Sequence, residues 1–514
     1  SIYMKVTKYI MIFSLIAGYS LAQAQQRPIY KAKPLSPEDI SRKQHIPEWQ
    51  PPTTRVVRDL PAGVNNSTLK YFPSVFNQLG NSCSQASGVR YAFTYEVNRM
   101  LDRDAKASTE NVFSYHFTWN YLNNGIDEGS HPELGYDMMK IGGAATLADM
   151  PDESAAVSTT TWLTGYDKYL KAMTYRVKSY EKFSLKTEDG IQRLKLFLYN
   201  RGVAGSAGGI VTFSCLSGDW KEHSYKGPSV TGLKDMIVKN GTDGAHALTI
   251  VGYDDTVEYD FNNDGQITND EKGAFIFVNS WGTWWASEGY CYYPYKLFLT
   301  PASEGGLADL SAMALMVEPE VHEPKIVFKV NLTYTSRNDL FFRLGVAEGE
   351  NATSPTVILG YPMMQNQGGD FYMRGEGTAE TFKTIEVAMN FTDKLKDFET
   401  FKNPKFFLTV RKIAVGKVGD GQINNFSVID YRTGKEYVCM QKNVKISGET
   451  ILTTGDQKLS EVSANPNCWL QTSGNGAVRS PFILRTVDGK QIKLQFEEYT
   501  KKSGQVKIKY QKLP

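Results

Sequence analysis

The sequence predicts an α+β domain, a helical half followed by a strand-rich half, continued by a separate all-β domain. Three observations carry this. Apolar residues Ala86, Val89, Phe93, Val97 and Met100 or Leu101 recur at three- and four-residue spacing, and 110–121, 134–141 and 190–199 are patterned alike. That periodicity marks helices with one buried face. From Gly209 onward short continuous apolar runs take over, above all 244–253 and 273–282, as buried strands require. Beyond residue 320 the pattern becomes strict alternation, in Ile326, Phe328, Val330, Leu332 and Tyr334, and in Ile385, Val387, Met389 and Phe391.

With 514 residues the chain exceeds one ordinary domain. Residues 1–24 read as a secretory signal peptide: Lys5 and Lys8 give a basic start, 9–21 an apolar core, and Ala22-Gln23-Ala24 a small-x-small cleavage site. This predicts a secreted, periplasmic or extracellular protein. The apolar run is too short to span a bilayer and nothing later replaces it, so no transmembrane segment is expected. Residues 25–54, dotted with Pro34, Pro37, Pro47 and Pro51, read as a linker or short pro-segment, with regular structure starting near Arg55. The α+β domain is assigned to 55–318 and the all-β domain, most simply a sandwich, to 321–514. Within the latter, 484–496 read as a hairpin around Asp488-Gly489. A net charge of +2 with 22% charged residues implies neither a nucleic-acid partner nor an anionic membrane.

Five cysteines in an exported chain leave at least one thiol over. Cys439 with Cys468, and Cys215 with Cys291, are candidate disulfides; Cys83 is the odd one out. Ser82 followed by Gln85 three residues later reads as a capping box that starts a helix there. Cys83 then sits in the first turn, at the positive end of the helix dipole, which favours a thiolate. A thiolate nucleophile needs a base, and the base needs an orienting group. Of six histidines only His246 lies in an apolar strand. Asn279 in the next apolar strand can accept from one ring nitrogen and leave the other facing Cys83, with Trp281 shielding that bond from water.

These three segments resemble papain-like cysteine peptidases. The resemblance covers about residues 55–318 and rests on Asn-Gln-x-Gly-x-Ser-Cys ending at Cys83, Gly-Ala-His-Ala-Leu-Thr-Ile-Val-Gly-Tyr around His246, and Val-Asn-Ser-Trp-Gly-Thr-x-Trp with Gly289-Tyr290. It implies a helical half packed on a β-barrel-like half, with Cys83 as nucleophile, His246 as general base and acid, and Asn279 as orienter. It also implies an oxyanion hole of the Cys83 N–H and a preceding Gln. Gln78 lies five residues before the cysteine where the family has six, and Asn77 takes that place; either amide can donate. Ser84 stands where the family has an aromatic residue. Gly129-Ser130 resembles the Gly-Gly that pairs with substrate backbone, and Trp281 is counted with the substrate site. The 41 residues from 25 to 65 are too few for the family's helical inhibitory pro-region.

Between the histidine and asparagine segments lies Asp260-Phe-Asn-Asn-Asp-Gly-Gln-Ile-Thr-Asn-Asp-Glu271. It matches a twelve-residue EF-hand loop. Asp260, Asn262, Asp264, the Gln266 carbonyl, Thr268 and Glu271 are its expected oxygen ligands, and Gly265 is the turn residue. A structural Ca²⁺ is therefore expected, and no organic cofactor. The expected function is hydrolysis of protein or peptide substrates. The alternative is a papain-like scaffold without activity in a binding or adhesion protein. A transferase or ligase on the same residues is a third reading. The β-domain carries no legible motif, and protein, carbohydrate or a cell surface are its open partners.

Overall fold

The computed structural model describes residues 33, 35–52, 59–152, 157–308, 311–365, 368–413 and 416–455, and the backbone of 482–485, 491–500 and 505–512. The signal-peptide assignment and Cys468 lie outside the described residues. No described helix is long and apolar enough to cross a membrane.

A central helical rod runs over residues 83–100, in three stretches of differing winding: Cys83–Gln85, the π-wound Ala86–Phe93, and Thr94–Met100. Such wide turns recur at functional sites. Every residue of the π-wound stretch is buried. Around the rod stand helices His116–Leu122, Pro132–Gly142, Tyr166–Ala172 and Glu188–Asn200. The helix expected over 110–121 starts only at His116; before it lies a short 3₁₀ turn, Thr109–Asn111.

The strand-rich half is one sheet built from β1 (Gly63–Asn65), β2 (Tyr175–Ser184), β3 (Val211–Leu216), β4 (Lys221–Ser224), β5 (Asp235–Lys239), β6 (Ala245–Glu258), β7 (Lys272–Val278), β8 (Tyr290–Pro294) and β9 (Met313–Val321). Its order is β2-β9-β3-β6-β7-β8-β5-β4, with β1 on β6, so the hydrogen bonding follows an open path among the described residues. The rod packs on this sheet through Ser87, whose Oγ lies 2.8 Å from the Leu248 carbonyl, 2.9 Å from Thr212 Oγ1 and 2.7 Å from Thr249 Oγ1.

Cys215 and Cys291 are both buried free thiols, which corrects the disulfide expected between them. They lie on β3 and β8, separated by β6 and β7. Three inter-strand steps amount to roughly 14 Å, twice the reach of a disulfide.

Residues 35–52 are more structured than a linker. Helix Pro37–His45 opens on a complete capping box formed by Ser36 and Asp39. After it the chain adds a parallel bridge to the free edge of β2, with Trp49 N–H donating to the Lys182 carbonyl and Lys182 N–H to that of Pro47. The Trp49 ring is buried against Phe183 and Phe197, at 5.3 and 5.4 Å. Lys43 Nζ stands 3.0 Å from Glu133 Oε1, and both side chains are nearly or fully buried. This strap therefore ties helix 132–142 to the β2 edge.

After β9 ends at Val321 the chain enters different sheets. One joins β13 (Thr384–Asn390), β10 (Ile326–Tyr334), β15 (Gly421–Asp430) and β16 (Lys435–Val438), with β17 (Val444–Lys445) on β15. The other orders β12 (Val357–Gly360), β11 (Leu340–Glu348), β14 (Pro404–Lys412) and β18 (Glu449–Thr453). Phe328 of the first meets Phe406 of the second at 5.8 Å. A third, three-stranded antiparallel sheet holds β19 (Phe482–Arg485), β20 (Gln491–Thr500) and β21 (Gln505–Lys512). Leu484 pairs with Ile492 there, while the turn around Asp488 lies outside the described residues.

The helical half and the first two of these sheets share one hydrophobic cluster. Polar contacts reinforce the seam: Arg176 reaches Asp393 at 2.8 Å and Glu320 at 2.7 Å, and Asn390 Nδ2 donates to the Ile141 carbonyl at 3.0 Å.

Removing one partner of a buried pair strands the other charge, at about 3–5 kcal/mol. Lys43→Met is therefore expected to lower the urea midpoint markedly, and the Lys43→Met/Glu133→Gln double variant to recover much of the loss. A single variant as stable as the parent would show that the strap does not depend on this pair.

Candidate active site

Cys83 is the first residue of the rod, and first-turn N–H groups have no acceptor within a helix. The expected capping box does not form: Ser82 makes no side-chain cap and its backbone (φ −83°, ψ 3°) is not extended. Gln85 is engaged elsewhere. Its Nε2 donates to Ser130 Oγ and to the His131 carbonyl, both at 3.0 Å, and its Oε1 accepts from Thr118 Oγ1 at 2.9 Å. Ser84 Oγ donates to the Ser130 carbonyl at 2.5 Å. Ser84 thus binds the Gly129-Ser130 turn to the head of the rod, a network no local pattern announces. Gly129 and Ser130 are both buried.

His246 lies near the start of β6 and pairs across the sheet with Cys215 of β3. Its Nε2 is 2.8 Å from Asn279 Oδ1. Asn279 is the first residue beyond β7, held by its N–H to the Gly289 carbonyl at 2.9 Å and by Tyr91 Oη donating to its own carbonyl at 3.1 Å. Tyr91 belongs to the rod, so the element that carries the cysteine also carries the asparagine. Asn279 Oδ1 accepts from the Ser280 N–H as well, at 2.8 Å. That second donor marks it as the oxygen, so Nε2 of His246 bears the proton and Nδ1 is the basic nitrogen.

Trp281 stacks on the imidazole with centroids 5.0 Å apart and planes 20° apart, and is 2% exposed. Its ring faces His246, Trp220 and Trp285.

Of the two amides before the cysteine, Asn77 bridges Trp281 and its side chain lies against Gly282, where an added Cβ would come within 2.7 Å of Oδ1. Gln78 faces Ser280: its N–H donates to the Ser280 carbonyl at 2.8 Å and its Oε1 accepts from Ser280 Oγ at 2.5 Å. Its Nε2 donates to the Gly80 carbonyl at 2.8 Å, and the second amide hydrogen is left for another acceptor.

Burial pushes the Cys83 thiol up, opposed by the Ala247 N–H on its sulfur and by Ser84. Burial pushes His246 down to about 4, opposed by its bond to Asn279. Both shifts favour the neutral thiol–imidazole pair, because a closed apolar site penalises either charge.

The loop 260–271 joins β6 to β7. Asp260 Oδ2 accepts from the Gly265 N–H (2.8 Å), Asn262 Oδ1 from that of Asp264 (2.9 Å), and Asp264 Oδ1 from that of Gln266 (2.8 Å). Glu271 closes the loop from its far end, accepting from the N–H groups of Phe261 (3.0 Å) and Thr268 (2.9 Å). Asn263 and Gly265 are left-handed (φ 58° and 81°). No group of three or more His, Cys, Asp or Glu side chains among the described residues is gathered closely enough to share a metal ion.

The chain is similar in structure to xylellain, a cysteine protease from Xylella fastidiosa (17% identity, TM-score 0.38, 57% of this chain and 97% of that one). It is similar to procathepsin B S9 from Trypanosoma congolense (14%, 0.37, 57% and 87%) and to the bromelain protease from Ananas comosus (14%, 0.33, 50% and 99%). No protein-family model matches the chain, and no curated protein does.

A buried neutral histidine makes stability depend on pH. The unfolded chain binds this proton near the ordinary value of 6.5 and the folded one only near 4. The contribution is therefore whole above 6.5 and is lost progressively as pH falls toward 4. His246→Gln should flatten that part of the Tm–pH profile; an unchanged slope would mean that the imidazole takes up its proton alike in the folded and unfolded chain.

Proposed function

We propose that the chain is a cysteine peptidase with a papain-like catalytic domain. The observation that supports it most is the Asn279 Oδ1–His246 Nε2 bond, buried under Trp281, which leaves Nδ1 as the base on the strand whose Ala247 N–H meets the Cys83 sulfur. In this reading Cys83 Sγ attacks the scissile carbonyl carbon while its proton passes to His246 Nδ1. The oxyanion is received by the Cys83 N–H and the spare Gln78 amide hydrogen. The C–N bond breaks as His246 returns the proton to the leaving amine, giving a thioester and a free N-terminus. Water, deprotonated by His246, then attacks the thioester; the C–S bond breaks and the thiolate takes the proton back. Gly129 and Ser130 line the substrate's backbone. The two neutral groups charge together only as Sγ loses its proton to Nδ1, so neither bears an isolated charge in the closed site.

The C-terminal domain is read as a β-sandwich, its two main sheets meeting at Phe328 and Phe406. Secretion is inferred from residues 1–24.

Calcium is part of the proposal. Asp260, Asn262, Asp264, the Gln266 carbonyl, Thr268 and Glu271 would hold it. Support comes from the left-handed residues that wrap the loop, and from acidic side chains that enter it from both ends. The ion would neutralise three carboxylates and clamp β6 to β7, the strands that carry His246 at the start of one and lead into Asn279 at the end of the other.

A peptidyl epoxide should alkylate Cys83, seen by peptide mass mapping, and His246→Ala should slow this by at least about 100-fold. A folded parent protein that stays unlabelled would favour the inactive scaffold. Chelation should lower Tm and peptide hydrolysis together, and Asp260→Ala should abolish the response to chelator. A Tm indifferent to chelator would remove calcium from the reading.

A further inference from the structure

The turn 123–128 sits between the β-domain and the nucleophile loop and touches both. Toward the nucleophile, Asp127 Oδ1 accepts from the Asn81 N–H at 2.8 Å, and Asn81 Nδ2 donates to the Asp127 carbonyl at 2.7 Å. Asn81 is two residues before Cys83, and Glu128 leads directly into Gly129-Ser130. The turn is conformationally expensive: Asn124, Gly125 and Asp127 all have left-handed backbones (φ 54°, 69° and 57°). Non-glycine residues hold such conformations when their surroundings over-determine them.

Those surroundings come from the β-domain. A Cβ on Gly125 would lie 2.4 Å from the Phe371 ring and 2.9 Å from the Gly368 carbonyl. Gly368 is held by Arg337, a 1% exposed residue whose Nε donates to its carbonyl at 3.0 Å and whose backbone N–H donates to the Phe371 carbonyl at 2.9 Å. The guanidinium also lies over the Trp162 ring at 4.2 Å. Trp162 belongs to the catalytic half, stacks on Tyr121 at 4.3 Å and donates to the Asn120 carbonyl at 3.1 Å. The same segment is bonded to the turn by Asn123 Nδ2 donating to the Thr159 carbonyl at 2.7 Å.

We propose that the C-terminal β-domain is a positioning element of the catalytic cleft: Arg337 and the Gly368–Phe371 turn hold the 123–128 turn in the shape that fixes Asn81 and presents Gly129-Ser130 to substrate. Arg337 and Phe371 are positioning residues. They act through Gly368 and Gly125 on the side of the cleft that receives the substrate's backbone. The inference rests on the peptidase reading for its functional consequence, but not for its structural one.

The full-length protein with Phe371→Ala or Arg337→Met is compared with the parent and with Arg337→Lys. Amide hydrogen exchange over 123–131 should quicken in the first two variants while the central rod keeps its protection. Inactivation by a peptidyl epoxide, which occupies the cleft, should slow by roughly 5- to 30-fold. Alkylation of Cys83 by iodoacetamide, which needs no cleft, should change less than about twofold, and Arg337→Lys should restore part of the loss. Unchanged exchange over 123–131 in folded Phe371→Ala overturns the inference whatever the enzyme does. Equal slowing by both reagents also overturns it, since that is general loosening. Should the parent itself resist the epoxide, the peptidase reading falls, and the exchange data alone decide whether the β-domain holds the turn.

Discussion

The arrangement depends on one buried oxygen. Asn279 Oδ1 takes two hydrogens, from His246 Nε2 and from the Ser280 N–H. The second bond fixes which way the amide faces, and the amide fixes which nitrogen of the imidazole is basic. Burial makes this consequential, because a misplaced proton in a dry site has no water to correct it. Tyr91 and the Gly289 carbonyl hold the asparagine backbone in turn, so the rod that begins with Cys83 and the strand end that carries Asn279 are one mechanical unit.

Around that unit the chain supports itself from both ends. The strap before residue 52 spans from helix 132–142 to the β2 edge, anchored by the Lys43–Glu133 pair and the Trp49 ring. On the other side the β-domain shares a hydrophobic cluster with the helical half and packs against the turn beside Asn81. Interfaces of this kind, apolar and laced with buried polar contacts, do not act as loose tethers. The helical half meets the sheet where Ser87 packs onto the paired strands β3 and β6.

The legible part of the site was the part written in local pattern. An apolar strand with one histidine, an apolar strand ending in Asn-Ser-Trp, and a cysteine at the head of an amphipathic run each announce themselves within ten residues. What failed was local inference about partners. Ser82 and Gln85 have the spacing of a capping box, yet Gln85 finds three better partners on the 116–131 segment. Cys215 and Cys291 were paired by elimination, and the strand order keeps them apart. The proline-dotted 25–54 segment hid a helix because Pro37 sits in its first turn, where proline is tolerated.

By itself the sequence determined the elements and their chemistry: the buried-face periodicity, the strand runs, and the residue types able to act as nucleophile, base and orienter. Hydrophobic period and residue identity are local quantities, and one chain suffices to read them. Only the tertiary structure decided which groups meet. The proton's place on His246, the role of Ser84 and Gln85 in binding the Ser130 turn, and the packing of Phe371 against Gly125 all join residues far apart in the chain. Such contacts are selected by packing and by the need to satisfy every buried polar group, which are properties of the whole fold.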